Sequence, residues 1–174
     1  MKHITLIIVA LMLSITAIAQ NTIETDFTQT KVIKLSGKTT LKAGHLVFDG
    51  KDHLTMNYSE PKGEYFIIDG NLVKINLNGS NITLDAEKKE KVKLQRATLL
   101  NCLSNNWEQA AADNEADLSI TEKDGLRHVL IKTKGKVPKS GYTCVELTYR
   151  INDGKLTKMM LEEAIGIINT YELK

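Results

Sequence analysis

The sequence predicts a mainly β protein with a helical insert: a curved antiparallel sheet forming an incomplete, half-closed barrel with a helical lid. Three observations carry this expectation. The dipeptides Asp49-Gly50, Asp69-Gly70, Asn78-Gly79, Asp124-Gly125 and Asp153-Gly154 punctuate the chain, and such pairs reach positive φ at low cost and close tight hairpins. The runs between them alternate apolar and polar residues with period two, the mark of antiparallel strands covered on one face. A single interval, Asp85 to Asn114, lacks hairpin dipeptides and repeats its apolar residues every three or four positions instead.

The first residues read as a targeting segment. Lys2 supplies a positive charge, Ile4 to Leu13 is apolar apart from Thr5, and Ala17-Ile18-Ala19 is a small-x-small cleavage pattern followed by Gln20. This is the pattern of a cleaved signal peptide over residues 1–19, leaving one domain over 20–174. The apolar run is short for a hydrocarbon layer of ~30 Å. No Cys lies near the cut, so the expected product is exported, soluble and unanchored.

The strands follow. Leu54, Met56 and Tyr58 share one side, with Thr55 and Asn57 on the other. Val73, Ile75 and Leu77 alternate with Lys74 and Asn76, and Val145, Leu147, Tyr149 and Ile151 with Glu146, Thr148 and Arg150. Pro61 and Pro138 both fall where loops fit. In the helical interval, Glu87 to Lys91 is a charged lead-in to Leu94, Ala97, Leu100, Leu103 and Trp107, and Asn105-Asn106 divides it into two short helices. The helices either cap a concave apolar face or simply plug a solid core.

Charge and motifs narrow the chemistry. With 23 Lys+Arg against 21 Asp+Glu in 174 residues, the formal charge is +2, which gives no electrostatic reason for a nucleic-acid partner. Gly37-Lys38-Thr39 resembles the end of a phosphate loop, but position 32 is Val where that loop requires Gly. His45 and His53 flank an expected hairpin and could face each other across it, a pair without the donors a metal site needs. Glu162 and Glu163 are neighbours in a strand and point to opposite faces. Lys88-Lys89-Glu90-Lys91 is read as the solvated start of a helix. Cys102 and Cys144 are either a disulfide or two separate buried thiols, a matter for geometry. No enzyme, cofactor or metal is expected.

What remains is physical rather than chemical. A one-faced sheet with a helical lid and no polar site suits an apolar ligand. Lipid chains need shielding, because each exposed methylene costs ~0.8 kcal/mol in water. Met56, Met159 and Met160 suit a wall that adapts to flexible chains.

The order Phe27-Thr28-Gln29, Gly37, Leu41 to Phe48, Leu54-Thr55-Met56-Asn57-Tyr58-Ser59-Glu60-Pro61, Ile67-Ile68-Asp69-Gly70 and Leu72 resembles the outer-membrane lipoprotein carrier family, LolA. That family commonly shows a hydrophobic-Arg-Trp-x-Tyr-x-x-Pro stretch before an Asp-Gly hairpin. Here Tyr58 and Pro61 keep their places, while Thr55 and Met56 stand where Arg and Trp are usual. A turn that carries a lid-holding Arg in some members reads Asp49-Gly50-Lys51. Leu99, Leu100 and Leu103 fall at the family's helical lid, and Tyr149 to Leu156 resembles its closing hairpin.

The resemblance implies a periplasmic half-barrel that shields lipoprotein acyl chains and moves them towards the outer membrane. The implied partners are acylated lipoproteins, an inner-membrane lipoprotein-releasing transporter and an outer-membrane receptor. Leu46, Phe48, Leu54, Met56 and Tyr58 would form lipid-binding walls, and Leu99, Leu100, Leu103 and Trp107 the lid. The alternative is a sensor or protein-interaction module of the cell envelope on the same scaffold. A small hydrolase without a recognisable motif is the third reading.

Overall fold

A computed structural model describes residues 22–134 and 141–174. The expected signal peptide and Pro138 lie outside the described residues. Eleven strands form one antiparallel sheet in the order β6-β5-β4-β3-β2-β1-β11-β10-β9-β8-β7. The strands are β1 (Ile23–Ile33), β2 (Lys38–Phe48), β3 (His53–Glu60), β4 (Tyr65–Asp69), β5 (Leu72–Leu77), β6 (Ser80–Asp85), β7 (Ala116–Lys123), β8 (Leu126–Thr133), β9 (Tyr142–Arg150), β10 (Leu156–Glu163) and β11 (Ile167–Leu173). Between β6 and β7 the chain makes a 3₁₀ turn, Ala86–Lys88, then α1 (Glu90–Leu103) and α2 (Trp107–Asp113). The sheet is not closed: β6 and β7 are its two edges. No helix among the described residues is long and apolar enough to cross a membrane.

Each anticipated dipeptide sits in a turn between consecutive strands. At Asn78-Gly79 and Asp124-Gly125 both residues have positive φ, the backbone whose twist matches a two-residue hairpin. Gly37-Lys38-Thr39 leads from a turn into β2, so no helix follows to cradle a phosphate. The seam of the sheet is β1 against β11, with Phe27 opposite Leu173 and Ile33 opposite Ile167. This pairing joins the two ends of the domain, and each half then fans outward by local hairpins.

Alternation places the core. Leu54, Met56 and Tyr58 of β3 are buried, as are Val145, Leu147 and Tyr149 of β9. Ile151, expected to continue that stripe, lies past the end of β9 and is exposed, and Leu77 is exposed at the end of β5. Three irregularities re-aim side chains, one of them in β10 between Leu156 and Lys158. In β3 the register passes from Gly44↔Tyr58 to Ala43↔Glu60, and in β9 from Glu162↔Cys144 to Glu163↔Tyr142. An extra residue on one strand shifts the pleat by one step, which is why Tyr142 shares the concave face with Val145 and Leu147.

The helical interval splits as its asparagines suggest. Asn105 has φ +60 between α1 and α2, a conformation Asn tolerates better than most residues. Asp85 opens the interval, its carboxylate accepting from the Glu87 amide at 3.1 Å. Leu99, Leu100, Cys102 and Leu103 of α1 and Ala110 and Ala111 of α2 enter the core, while α2 packs on β7 and β8. Asn114 ties the helices together, its amide donating to Thr98 Oγ1 at 2.8 Å and to the Ala110 carbonyl at 2.7 Å.

Candidate functional site: a cavity under the lid

The helices do not fill the concave face. A cavity of about 600 Å³ remains beside α1, and a void of about 80 Å³ adjoins it under Val92 and Arg96. One wall is apolar: Met56, Phe66, Ile75, Leu99, Met159 and Leu161. The polar part of the lining comes from the seam and its neighbours, with Gln29, Lys42, Tyr58, Glu163, Asn169 and Tyr171.

The polar wall is ordered by hydrogen bonds. Gln29 is 6% exposed, and its Nε2 donates to Asn169 Oδ1 at 2.9 Å and to Tyr171 Oη at 3.2 Å. Its carbonyl oxygen has no partner, an arrangement that costs a buried acceptor its water without replacement. Asn169 donates onward to Glu163 Oε1 at 3.3 Å. Lys42 is bonded to Glu64 and lies 5.2 Å from the Tyr58 ring centroid. Burial pulls the Glu64 carboxyl upward, but the Lys42 ammonium and the Asn78 amide outweigh it and hold the group below its usual value. Burial pushes Tyr58 up to about 12 and Tyr171 well above the ordinary phenol, so both remain neutral hydroxyls.

The lid is pinned at two points. Arg96 of α1 donates through Nε to the Gly70 carbonyl at 2.5 Å, in the β4–β5 turn. Trp107 Nε1 donates to Tyr149 Oη at 3.1 Å, and that hydroxyl donates to the Cys102 carbonyl at 3.1 Å. An arginine thus holds the lid to a turn, but it belongs to the helix rather than to the Asp49-Gly50-Lys51 turn.

Of the anticipated wall residues, Met56, Tyr58 and Leu99 border the cavity. Leu46, Phe48, Leu54, Leu100 and Leu103 are packed in the core, and Trp107 is half-buried against Tyr149. Phe66, Tyr142, Leu161 and Tyr171 border it without having been anticipated. The β9 irregularity hides Tyr142 from strict alternation, and Tyr171 belongs to a final strand without a hairpin dipeptide before it. Met159 borders the cavity, while Met160 is on the other parity.

The remaining sequence candidates separate. His45 is opposite Asn57 and bonds Asp26 Oδ1 through Nδ1 at 2.9 Å, whereas His53 lies 3.5 Å from Asp69. They do not face each other, because His53 lies beyond the end of the paired register of β2. The Asp26 hydrogen bond raises the His45 pKa. Among the described residues no cluster of three or more potential ligands could hold a metal. Glu162 pairs with Lys34 at 2.5 Å, away from Glu163 and its Asn169 partner. Cys102 and Cys144 are separate thiols, since Cys102 enters the core from α1 while Cys144 sits beside Glu146 on the other parity of β9. Burial pushes them up to about 12 and about 11.

The described residues form an open antiparallel half-barrel, lidded by helices, with a half-open cavity lined by apolar and polar residues. The chain matches the family described as outer membrane lipoprotein carrier protein LolA over residues 19–174, and it belongs to that family. No curated protein matches it. Among solved structures, a LolA superfamily protein from Nitrosomonas europaea is similar with TM-score 0.41 and 12% identity, covering 90% of this chain and 85% of that one. The Pseudomonas aeruginosa MucA/MucB complex gives 0.47 and 10%, covering 90% and 52%. The Mycobacterium tuberculosis lipoprotein LppX gives 0.32 and 9%, covering 87% and 85%.

Proposed function

We propose that this protein is a periplasmic carrier that shields lipoprotein acyl chains in its cavity and moves them towards the outer membrane. The observation that carries the reading is the cavity of about 600 Å³ between α1 and the sheet, walled by Met56, Phe66, Leu99 and Met159. A cavity of this size with an apolar wall is in the range that ligand-binding proteins use. Acyl chains released from an inner-membrane transporter would enter it, and an outer-membrane receptor would draw them out. The chain needs no chemistry for this role, only an apolar wall and a lid that opens.

The test is displacement of an apolar fluorescent probe from the purified protein by acyl ligands. Saturable displacement supports the carrier. A probe that never binds, with the protein folded, favours the alternative: a sensor or interaction module of the cell envelope on the same half-barrel.

A further inference from the structure

We propose that, with its lid closed, the cavity takes one acyl chain with an anionic head, the head resting at Lys31 and Lys38. The proposal builds on the acyl-binding reading but goes beyond it, because it names a ligand smaller than a lipoprotein's lipid terminus.

Size bounds the ligand. A cavity of about 600 Å³ lies within the ~300–1,000 Å³ that a drug-sized ligand occupies, the size class of a single-chain lipid rather than of a lipoprotein's lipid terminus.

Charge sets the head. Lys31 and Lys38 both border the cavity, from neighbouring strands where Lys31 is opposite Thr40 and Lys38 opposite Ile33. Lys42 is neutralised by Glu64, but among the described residues Lys31 and Lys38 have no ion pair. Besides Glu64, Glu163 is on the cavity wall, and the neutral Asn169 amide bonds it without cancelling its charge, so among the described residues the lining carries three cations, Lys31, Lys38 and Lys42, against two carboxylates. Two unpaired cations beside an apolar wall match an amphiphile with a phosphate or carboxylate head. The unpartnered Gln29 carbonyl, on the same cavity, calls for a donor. The free hydroxyl of a single-chain glycerophospholipid supplies one, which favours that source of the anion over a fatty acid.

The experiment measures displacement of an apolar probe by 1-palmitoyl lysophosphatidylglycerol, palmitate, monopalmitoylglycerol and dipalmitoyl phosphatidylglycerol, with stoichiometry from native mass spectrometry. The expected result is one lysophosphatidylglycerol per protein, bound at least tenfold more tightly than neutral monopalmitoylglycerol or the two-chain lipid. The Lys31→Gln/Lys38→Gln protein should lose the tenfold preference for the anion while still binding monopalmitoylglycerol. Palmitate at comparable affinity supports the same proposal with a carboxylate as the anion. Equal binding of neutral and anionic single-chain lipids, or preference for two chains, overturns it and leaves the acyl-carrier reading standing. Absence of binding by all four overturns both.

Discussion

The ring of Phe27 occupies the place where Gly44 would carry a side chain. The two residues are opposite each other in the β1–β2 ladder. A Cβ built on Gly44 would lie 2.7 Å from Phe27 Cζ and 2.4 Å from the Asn57 carbonyl oxygen. Phe27 in turn meets Tyr58 and Tyr171 edge-on, with centroids 5.3 and 5.8 Å apart. The Phe27-x-Gln29 pair is therefore a structural unit. Phe27 fills the seam, and two residues on, with the same parity, Gln29 faces the cavity.

Gly44→Ala should destabilise the protein by about 1–3 kcal/mol, the usual cost of forcing atoms into a packed core. The contact with Asn57 is to backbone and cannot be relieved by a rotamer change. Urea denaturation of the two proteins measures the difference. An unchanged midpoint would mean that Phe27 yields freely.

Tyr149→Phe should loosen the lid. The hydroxyl accepts from Trp107 and donates to the Cys102 carbonyl, so its removal takes the partner of the Trp107 N–H and leaves the Cys102 carbonyl with the Asn105 amide. The expected loss is about 1–3 kcal/mol. In a cycle with Trp107→Phe, the two losses should be less than additive, because the residues share one hydrogen bond. Strict additivity would show that the bond is not formed in solution.

Met56→Glu and Leu46→Glu separate cavity wall from core. The two residues are cross-strand partners, yet Met56 borders the cavity and Leu46 does not. Met56 is 2% exposed, so a carboxylate there loses most of its water but can turn its end towards the cavity, and acyl binding should be abolished with a smaller fall in melting temperature than at 46. At 46 it is sealed in the core, where an unpaired charge costs several kcal/mol, and the protein should unfold. Similar melting temperatures for the two variants would mean that the space beside Met56 is closed.

The Lys42–Glu64 pair predicts a pH dependence. The folded-state pKa of Glu64 is depressed from its ordinary 4.5, so its contribution is fully present above that value. As pH falls below it, the unfolded chain takes up the proton first, and the contribution is lost as pH drops through the folded-state value. The stability difference between wild type and Glu64→Gln should be constant at neutral pH and shrink below about 4.5. A difference independent of pH would show that the pair is not formed.

Much of this architecture is legible in the chain because hairpins are local. Asn78-Gly79 and Asp124-Gly125 specify turns with their own backbone preferences, and Leu54-x-Met56-x-Tyr58 specifies a face by parity alone. The extent of the helical insert is legible for the same reason, since its apolar spacing runs from Leu94 to Leu103. The cavity is not. Leu46 and Met56 share a face and a chemistry, and which of them borders open space depends on how far α1 reaches over the sheet. Tyr142 is concealed by a one-residue shift in register, and the polar wall by distance, since Gln29 and Tyr171 are 142 residues apart. His45 and His53 mislead because sequence spacing across a turn does not fix register.

The most direct test of the account is native mass spectrometry of the protein purified from the periplasm without detergent or delipidation. The account predicts a population heavier than the bare chain by the mass of an acyl-bearing ligand, released on activation, and absent from Met56→Glu. A bare chain mass alone, from folded wild-type protein purified in this way, would contradict it.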